Sequence, residues 1–193
     1  MDKKEVIRFF DSLAPQWDAD MIRCDAVINK ILDNAGVQAG VSVLDVACGT
    51  GVLISDYLNR KVASVTAVDI APEMVKIARH KFPQNNVQIL FGDIESIPLN
   101  QKFDCIMVYN AFPHFPDPKH LLQVLSGMLN PGGTLTIAHG MSREQIDAHH
   151  QGSASKVSIG LMHADALEEL MGAFLTVSVK ISDNTMYQVT GTK

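Results

Sequence analysis

A glycine-containing turn after a short apolar run is the part of the sequence whose residue types and spacing best suit chemistry. Residues 41–46 predict a strand, and Gly49 and Gly51 follow it where a helix is predicted to begin. Glycines allow a ligand to approach the backbone closely, and the free N–H groups of a helix N-terminus attract an anion. Asp45, just inside the strand, instead suits an ammonium group. We therefore predict a ligand that carries both kinds of charge.

The same turn lacks the features of two common nucleotide-binding motifs. A dinucleotide site requires a further glycine, but the residue three positions after Gly51 is Ile54. A P-loop requires Gly-Lys-Ser or Gly-Lys-Thr, which the turn does not contain. Asp45 would also be a poor neighbour for a pyrophosphate. A nicotinamide-dependent dehydrogenase is therefore disfavoured.

Acidic residues at the ends of the next two predicted strands add a nucleoside site. Asp69 follows the turn by about 20 residues, where a carboxylate can accept hydrogen bonds from ribose hydroxyls. Asp93, between Gly92 and Ile94, can accept a hydrogen bond from an adenine amino group, and Ile70 and Ile94 can sandwich the ring. An adenosine that also bears an ammonium and a carboxylate fits these positions, and S-adenosylmethionine is such a molecule.

In order and spacing, these features resemble the class I S-adenosylmethionine-dependent methyltransferases over residues 36–139. Residues 9–18, FFDSLAPQWD, are similar to the lead-in segment of the ubiquinone/menaquinone C-methyltransferase type. The resemblance implies an α/β fold, a Rossmann-like three-layer αβα sandwich. Its seven-stranded, mostly parallel sheet would have the order 3-2-1-4-5-7-6 with strand seven antiparallel. It also implies methyl transfer from S-adenosylmethionine, which leaves S-adenosylhomocysteine as the product.

The expected cofactor-binding residues combine the strand-end positions with those that the resemblance implies. Ala47 departs from the family pattern, which more often has glycine there, but alanine is a small change that we expect to preserve binding. The expected set is Asp45, Ala47, Cys48, Gly49, Gly51, Asp69, Ile70, Gly92, Asp93, Ile94, Tyr109 and Asn110.

His114 is the candidate catalytic residue. Methyl transfer from a sulfonium mainly requires alignment of donor and acceptor with water excluded, and a general base only when the nucleophile is protonated. Residues 109–115 follow the fourth predicted strand and are expected to face the methyl group, so His114 can be a base or an acceptor contact. The alternative is a packing role between Phe112 and Phe115.

A second group of residues is predicted to cover the site or to contact the acceptor. Trp17 either closes the cofactor pocket or packs between helices, and Phe9, Phe10, Met21 and Ile22 form an apolar lid or cover the sheet. The histidines lack the i, i+3 or i, i+4 spacing of a compact site, so no metal is expected. The substrate or lid candidates are Trp17, Phe112, His139, His149 and His150.

The elements that must position these residues alternate between apolar strands and helices, which predicts a parallel sheet covered on both faces. We expect one domain over residues 1–193, with a helical cap over 1–35, a core over 36–193 and a mobile insert over 140–162. A turn is predicted at Pro131-Gly132-Gly133. The predicted helices are 3–13, 20–35, 52–60, 72–81, 118–129 and 164–171, and the predicted strands are 41–46, 64–68, 87–91, 103–109, 134–138, 173–181 and 185–192.

The composition indicates a globular protein, with 47% hydrophobic and 19% charged residues and a net charge of −5. No Lys/Arg run favours nucleic acid. No apolar run approaches the ~18 residues of a membrane span, and no signal peptide is recognisable. No two of the three cysteines form a CxxC pair, which argues against a disulfide framework or a zinc site. They are Cys24, Cys48 and Cys105. We expect a cytoplasmic enzyme without a membrane partner.

Few residues lie outside the predicted core, and this favours a small-molecule acceptor. Two alternatives stay open: an RNA or protein methyltransferase that acts with a partner, and a non-catalytic S-adenosylmethionine-binding module. The sequence also leaves open which atom is methylated and whether the protein is a monomer or a homodimer.

Overall fold

The computed structural model describes residues 1–150 and 156–193, with the side chains of residues 149 and 150 outside the description. A seven-stranded sheet lies at the centre of these residues. Its strands are β1 (Ser42–Val46), β2 (Ser64–Asp69), β3 (Val87–Phe91), β4 (Phe103–Tyr109), β5 (Leu129–His139), β6 (Thr176–Ser182) and β7 (Tyr187–Thr192). The strand order is β3-β2-β1-β4-β5-β7-β6, which confirms the expected topology.

Strands β1 to β5 pair in parallel, whereas β7 runs antiparallel to both of its neighbours, β5 and β6. The predicted antiparallel strand is therefore confirmed. Because the carboxyl ends of parallel strands meet at one edge of the sheet, the segments after β1, β2, β3 and β4 gather there. This edge is where an open α/β sheet binds ligands.

The two faces of the sheet each carry a hydrophobic core, and β1 contributes to both. Leu44 and Val46 pack in one cluster and Val43 in the other, as expected when successive side chains of a strand point to opposite faces. Asp45 is the charged exception in this buried strand. A carboxylate in such a place costs stability unless something binds it.

Eight α-helices surround the sheet within the described ranges. They are α1 (Lys3–Leu13), α2 (Trp17–Asp20), α3 (Asp25–Asn34), α4 (Ile54–Asn59), α5 (Pro72–Lys81), α6 (Pro118–Gly127), α7 (Arg143–His150) and α8 (Ala164–Gly172). No helix among the described residues is long and apolar enough to cross a membrane. Residues 3–20, which run from α1 through a 3-10 turn to α2, are called the N-terminal cover below.

The prediction of one helix over residues 20–35 was wrong at its start. The chain is extended at Met21, and α3 begins only at Asp25. Arg23 holds the break in place, because its guanidinium donates to Asp25, to Asp56 and to the carbonyl of Val52. The break allows the chain to turn from the N-terminal cover into the layer beneath the sheet.

The sequence analysis assigned no helix to the predicted insert over residues 140–162, but α7 lies in its first half. The helix begins with a capping box. The N–H of Ser142 donates to Gln145 Oε1 at 3.0 Å, and the N–H of Gln145 donates to Ser142 Oγ at 3.3 Å. The Ser-x-x-Gln spacing was present in the sequence and would have signalled the helix. Residues 151–155 of the predicted insert lie outside the described residues.

Strand β5 begins at Leu129, five residues before the predicted start at residue 134. The predicted turn at Pro131-Gly132-Gly133 lies within it. The backbone explains the difference, because the N–H of Gly132 donates to the carbonyl of Lys193 and the N–H of Lys193 donates to the carbonyl of Gly133. These bonds extend the ladder between β5 and the end of the chain past the two glycines.

Candidate active site

A cavity of about 400 Å³ lies at the carboxyl ends of β1 to β4, beneath the N-terminal cover. It has the size and position of a small-molecule site in an open α/β sheet. Most of the sequence-predicted site residues line it. They are Trp17, Asp45, Ala47, Cys48, Gly49, Asp69, Ile70, Gly92, Asp93, Ile94, Tyr109, Asn110 and His114.

The turn after β1 uses a left-handed backbone at three positions, with φ of 55° at Ala47, 55° at Gly49 and 84° at Gly51. Glycine adopts this conformation without strain, whereas a side chain at Ala47 crowds the following carbonyl. Gly51 does not line the cavity. A Cβ there would lie 2.7 Å from the ring of Phe82, so this glycine allows close packing below the turn.

Asp45 is a buried acidic residue near the end of β1. Its side chain is only 3% exposed, and its Oδ2 has no hydrogen-bond partner among the described residues. Burial, together with the nearby charge of Asp69, raises the pKa of this carboxyl to about 8. A buried acceptor without a partner in a cavity fits a ligand that brings a positively charged donor.

Asp69 connects the glycine turn to the start of α5. Its Oδ2 accepts from the N–H of Gly49 at 2.7 Å, and its Oδ1 accepts from the N–H of Ala71 at 2.8 Å. Burial raises the pKa of Asp69, while these two bonds oppose the rise. Each carboxylate oxygen has a second lone pair, so the residue can position the backbone and still accept from a ligand.

Asp93 is engaged by a residue that the sequence analysis did not identify. Lys3, in the first turn of α1, places its ammonium 2.5 Å from Asp93 Oδ2 and 2.6 Å from Glu95 Oε2. The other oxygen of Asp93 accepts from the N–H of Glu95 at 3.1 Å. One end of the N-terminal cover is thereby attached beside the third strand.

The N-terminal cover is attached at its other end to the glycine turn. Asp18 accepts from Thr50 Oγ1 at 2.5 Å and from Lys81 Nζ at 2.7 Å. Between the two ends, Asp11 Oδ1 accepts from the N–H of Glu73 at 2.9 Å, at the start of α5. Polar contacts along its length therefore hold the cover over the cavity.

Trp17 lies above the glycine turn, where a Cβ on Gly49 would be 3.8 Å from its indole nitrogen. Its ring packs edge-on against Phe10 with centroids 5.7 Å apart. The indole N–H is buried and has no hydrogen-bond acceptor among the described residues. The residue thus both packs within the cover and presents a donor near the cavity.

His114 lies in the cavity wall at the end of a 3-10 turn that follows β4. Its Nδ1 is 2.6 Å from the carbonyl oxygen of Val157, and its ring packs edge-on against Phe10 with centroids 4.9 Å apart. Because a carbonyl oxygen only accepts, Nδ1 carries the proton in this contact. In the neutral ring, Nε2 is then the basic nitrogen.

Tyr109 and Asn110 lie at the end of β4 and join it to the end of β5. Asn110 has φ of 54°, and its side-chain oxygen accepts from the N–H of Gly140 at 3.0 Å. The hydroxyl of Tyr109 lies against Gly140, where any Cβ would collide with it. Burial raises the pKa of Tyr109 to about 12, so the phenol stays protonated near neutral pH.

Two predicted acceptor contacts are not in the cavity wall, and these predictions are corrected. Phe112 is 1% exposed and packs in the hydrophobic core, because the 3-10 turn directs Phe115 to the cavity instead. His139 is 1% exposed and packs edge-on against Tyr187 at 6.0 Å, in the pairing of β5 with β7. The side chains of His149 and His150 lie outside the described residues.

Part of the wall comes from residues that the sequence analysis did not identify. Met141 reaches it from the segment before α7, Ile146 from α7 itself, and Met74 from α5. The capping box of α7 was the available signal for the first two. The described residues contain no group of three or more His, Cys, Asp or Glu side chains that could hold a metal ion.

Several known proteins that this chain resembles are methyltransferases. Residues 44–137 match the model of the methyltransferase domain family. The chain is 34% identical to a ubiquinone biosynthesis O-methyltransferase of Xanthomonas campestris pv. campestris over 144 residues, which cover 67% of this chain and 58% of that protein. It is 34% identical to a malonyl-[acyl-carrier protein] O-methyltransferase of Acetivibrio thermocellus over 141 residues, which cover 72% of this chain and 50% of that protein. The chain thus spans between half and three fifths of these relatives.

A solved structure supports the fold independently of sequence. The N-methyltransferase NodS from Bradyrhizobium japonicum WM9, in complex with S-adenosyl-l-homocysteine, superposes with a TM-score of 0.76. The superposition covers 100% of this chain and 99% of NodS at 14% identity. A likeness at such low identity concerns the arrangement of the elements only.

Proposed function

We propose that the chain is a class I S-adenosylmethionine-dependent methyltransferase, and that it transfers a methyl group from S-adenosylmethionine to a small-molecule acceptor. The observation that carries the proposal is the buried carboxylate of Asp45, whose Oδ2 lacks a partner among the described residues. It lines the same cavity as Asp69 and Asp93, from the ends of the next two strands. Three acceptors along one edge match the ammonium, ribose hydroxyl and adenine amino groups of one molecule.

In this proposal, each end of the cofactor has its own residues. Asp45 binds the ammonium, and the carboxylate lies beside the glycine turn, whose Gly49 N–H is held by Asp69. Asp69 accepts from the ribose, and Asp93 accepts from the adenine between Ile70 and Ile94. When bound, S-adenosylmethionine supplies a methyl group activated by a positively charged sulfur.

On the acceptor side, the residues of this chain align the nucleophile and exclude water. The N-terminal cover closes the cavity from above, and Trp17 packs over the glycine turn. We propose that His114 takes the proton of the acceptor at Nε2, because its Nδ1–H already donates a hydrogen bond to the carbonyl oxygen of Val157. The contact with Val157 also fixes the orientation of the ring.

The relatives favour an oxygen atom as the nucleophile, since both are named O-methyltransferases. A cavity of about 400 Å³ favours a small acceptor over a protein or a long nucleic acid. We also propose that residues 1–193 act as one domain whose first 35 residues cover the site. A cytoplasmic location and the choice between monomer and homodimer stay predictions.

Calorimetric titration tests the cofactor part of the proposal. The purified chain is expected to bind S-adenosylmethionine and S-adenosylhomocysteine with micromolar affinity and to show no heat of binding with NAD. Transfer of a labelled methyl group to small phenols and alcohols then tests turnover. Binding of NAD, or of neither sulfur compound, would contradict the proposal, whereas binding without transfer to any acceptor would support the non-catalytic alternative.

A further inference from the structure

The charged side chains that line the cavity are predominantly acidic. Asp20, Asp45, Asp69 and Asp93 lie in its wall, and Lys3 is the one Lys or Arg among the described lining residues. Asp45, Asp69 and Asp93 lie at the cofactor end, and burial raises the pKa of Asp45 to about 8, so the wall is short of cations rather than uniformly negative. Charges interact strongly there, because water does not screen them fully.

Lys3 does not provide a free positive charge to this wall. Its ammonium lies within 2.6 Å of carboxylate oxygens of both Asp93 and Glu95. The Glu95 side chain is only 8% exposed, whereas the Lys3 side chain is 43% exposed, so the ion pair is partly open to solvent. An acceptor bearing a carboxylate or a phosphate would therefore enter the cavity without a Lys or Arg to bind it. Burying an unpaired charge is unfavourable.

The wall opposite the strand ends is apolar and comes from three separate parts of the chain. The N-terminal cover contributes Phe9 and Phe10, which pack edge-on at 5.2 Å. The turn after β4 contributes Phe115, and the segment before α7 and α7 itself contribute Met141 and Ile146. Aromatic rings and methionines adapt well to flat apolar ligands.

The mouth of the cavity is apolar as well. Ile22 is 70% exposed and Leu13 is 38% exposed, and both line the cavity. They are two of the five exposed large apolar side chains among the described residues. Exposed apolar side chains grouped at the entrance of a cavity suit a ligand whose apolar part extends outward.

We infer that the methyl acceptor is an uncharged molecule with an apolar body, and that acceptors bearing a carboxylate or a phosphate are excluded. The reactive end would lie beside His114, and the apolar body would lie along Phe9 and Phe115 toward Ile22. The inference rests on the proposed function. It adds the chemical class of the acceptor, which neither the sequence nor the names of the relatives settle.

A matched pair of probes tests the inference. 4-Propylphenol and 3-(4-hydroxyphenyl)propanoate share a phenol and a three-carbon chain, and only the second carries a carboxylate. With S-adenosylhomocysteine bound, 4-propylphenol is expected to bind at least tenfold more tightly by calorimetry at pH 7.5. With S-adenosylmethionine, its kcat/KM is expected to exceed that of the propanoate by a similar factor. Equal or tighter binding of the propanoate would overturn the inference.

A substitution at the mouth sharpens the test. Ile22→Lys adds a free cation at an exposed position, so folding is expected to be preserved. The preference for 4-propylphenol is expected to fall at least threefold. Ile159→Lys is the matched control, because Ile159 is 50% exposed and does not line the cavity. It is expected to leave the preference unchanged, and a fall of the same size in both variants would contradict the role of Ile22.

The outcomes separate this inference from the proposed function. If S-adenosylhomocysteine does not bind, the proposed function fails. If it binds and neither phenol binds up to millimolar concentration, or if the propanoate is preferred, the inference about the acceptor is wrong while the cofactor assignment stands.

Discussion

The strand-end wall of the cavity and the apolar wall opposite it are built in different ways. The first consists of carboxylates and backbone groups that the central strands hold in place, such as Asp45 in β1 and Asp69 at the end of β2. The second consists of large side chains on separate covering elements, such as Phe9 on α1 and Ile146 on α7. We therefore expect cofactor binding to depend on the register of the sheet. Acceptor choice is expected to depend on covering elements whose sequence can change without disturbing the sheet.

The His114→Asn substitution has the largest expected effect on activity. It distinguishes the two walls, because it is expected to change catalysis and not cofactor affinity. Asparagine can still donate to the carbonyl of Val157 but has no basic nitrogen. We expect kcat to fall by at least about 100-fold, the lower range for a general base. The Kd for S-adenosylhomocysteine is expected to change less than twofold, as measured by calorimetry.

The exposed His120→Asn on α6 is the control for that substitution, and it is expected to leave kcat unchanged. An unchanged kcat in His114→Asn would show that this histidine only packs between its neighbours.

Asp45→Asn tests the strand-end wall directly. We expect the Kd for S-adenosylhomocysteine to rise about 100-fold, or roughly 2.7 kcal/mol, because a charged hydrogen-bond acceptor is lost. Asp104→Asn is the control, since Asp104 lies at the opposite end of the sheet and accepts from Ser42. It is expected to cost stability and no affinity. Equal losses of affinity in both variants would contradict the role of Asp45.

The same substitution has an opposite effect on stability. The folded-state pKa of Asp45, about 8, lies above its ordinary value of 3.8. The protonated carboxyl therefore favours the folded state fully below pH 3.8, and this contribution is lost as pH rises through about 8. Asparagine does not ionise, so Asp45→Asn is expected to have a higher Tm than the parent chain at pH 9 and a smaller difference at pH 6.

Asp69→Ala has a smaller expected effect on binding than Asp45→Asn, because the ribose hydroxyls are neutral donors. We expect a rise of tenfold or more in the Kd for S-adenosylhomocysteine, or about 1.4 kcal/mol. Gly49→Val is expected to weaken binding to a similar degree by filling the space below Trp17. Titration of variants that melt cooperatively checks both. Unchanged affinity in either would remove that residue from the site.

Ala47→Gly has the smallest expected effect and concerns the turn alone. Relief of the left-handed backbone exceeds the entropy cost of glycine by roughly 0.5–1 kcal/mol, so Tm should rise by about 1–4 °C. Cofactor affinity should be unchanged. Ala166→Gly, in the exposed part of α8, is the control and should lower Tm, because its backbone is helical. A lower Tm for Ala47→Gly would show that the turn is not strained.

Much of the strand-end wall was predictable from sequence because it depends on position along the chain. Asp45, Asp69 and Asp93 each stand at or just after an apolar strand, and parallel strands bring such positions to one edge. The sheet order and the antiparallel strand were implied by the family resemblance.

The apolar wall was less predictable because it depends on tertiary contacts. The ion pair of Lys3 with Asp93 joins residues 90 positions apart, and no local pattern signals it. Whether Phe112 or Phe115 faces the cavity depends on a 3-10 turn that the sequence does not mark. Two parts of this wall did have a sequence signal. The apolar residues Phe9, Phe10, Met21 and Ile22 were lid candidates, and α7 had the Ser142–Gln145 capping box.

The most direct test of the account is the proton balance of S-adenosylhomocysteine binding. At pH 7 the Asp45 carboxyl, with a pKa of about 8, is mostly protonated. The α-amino group of S-adenosylhomocysteine, which is that of a free amino acid, is charged at this pH. Pairing lowers the pKa of Asp45, so binding should release protons, measured as a difference in heat between phosphate and Tris buffers. We predict proton release that disappears in Asp45→Asn. Binding without proton release, or release that persists in Asp45→Asn, would contradict the assignment of Asp45 to the ammonium group.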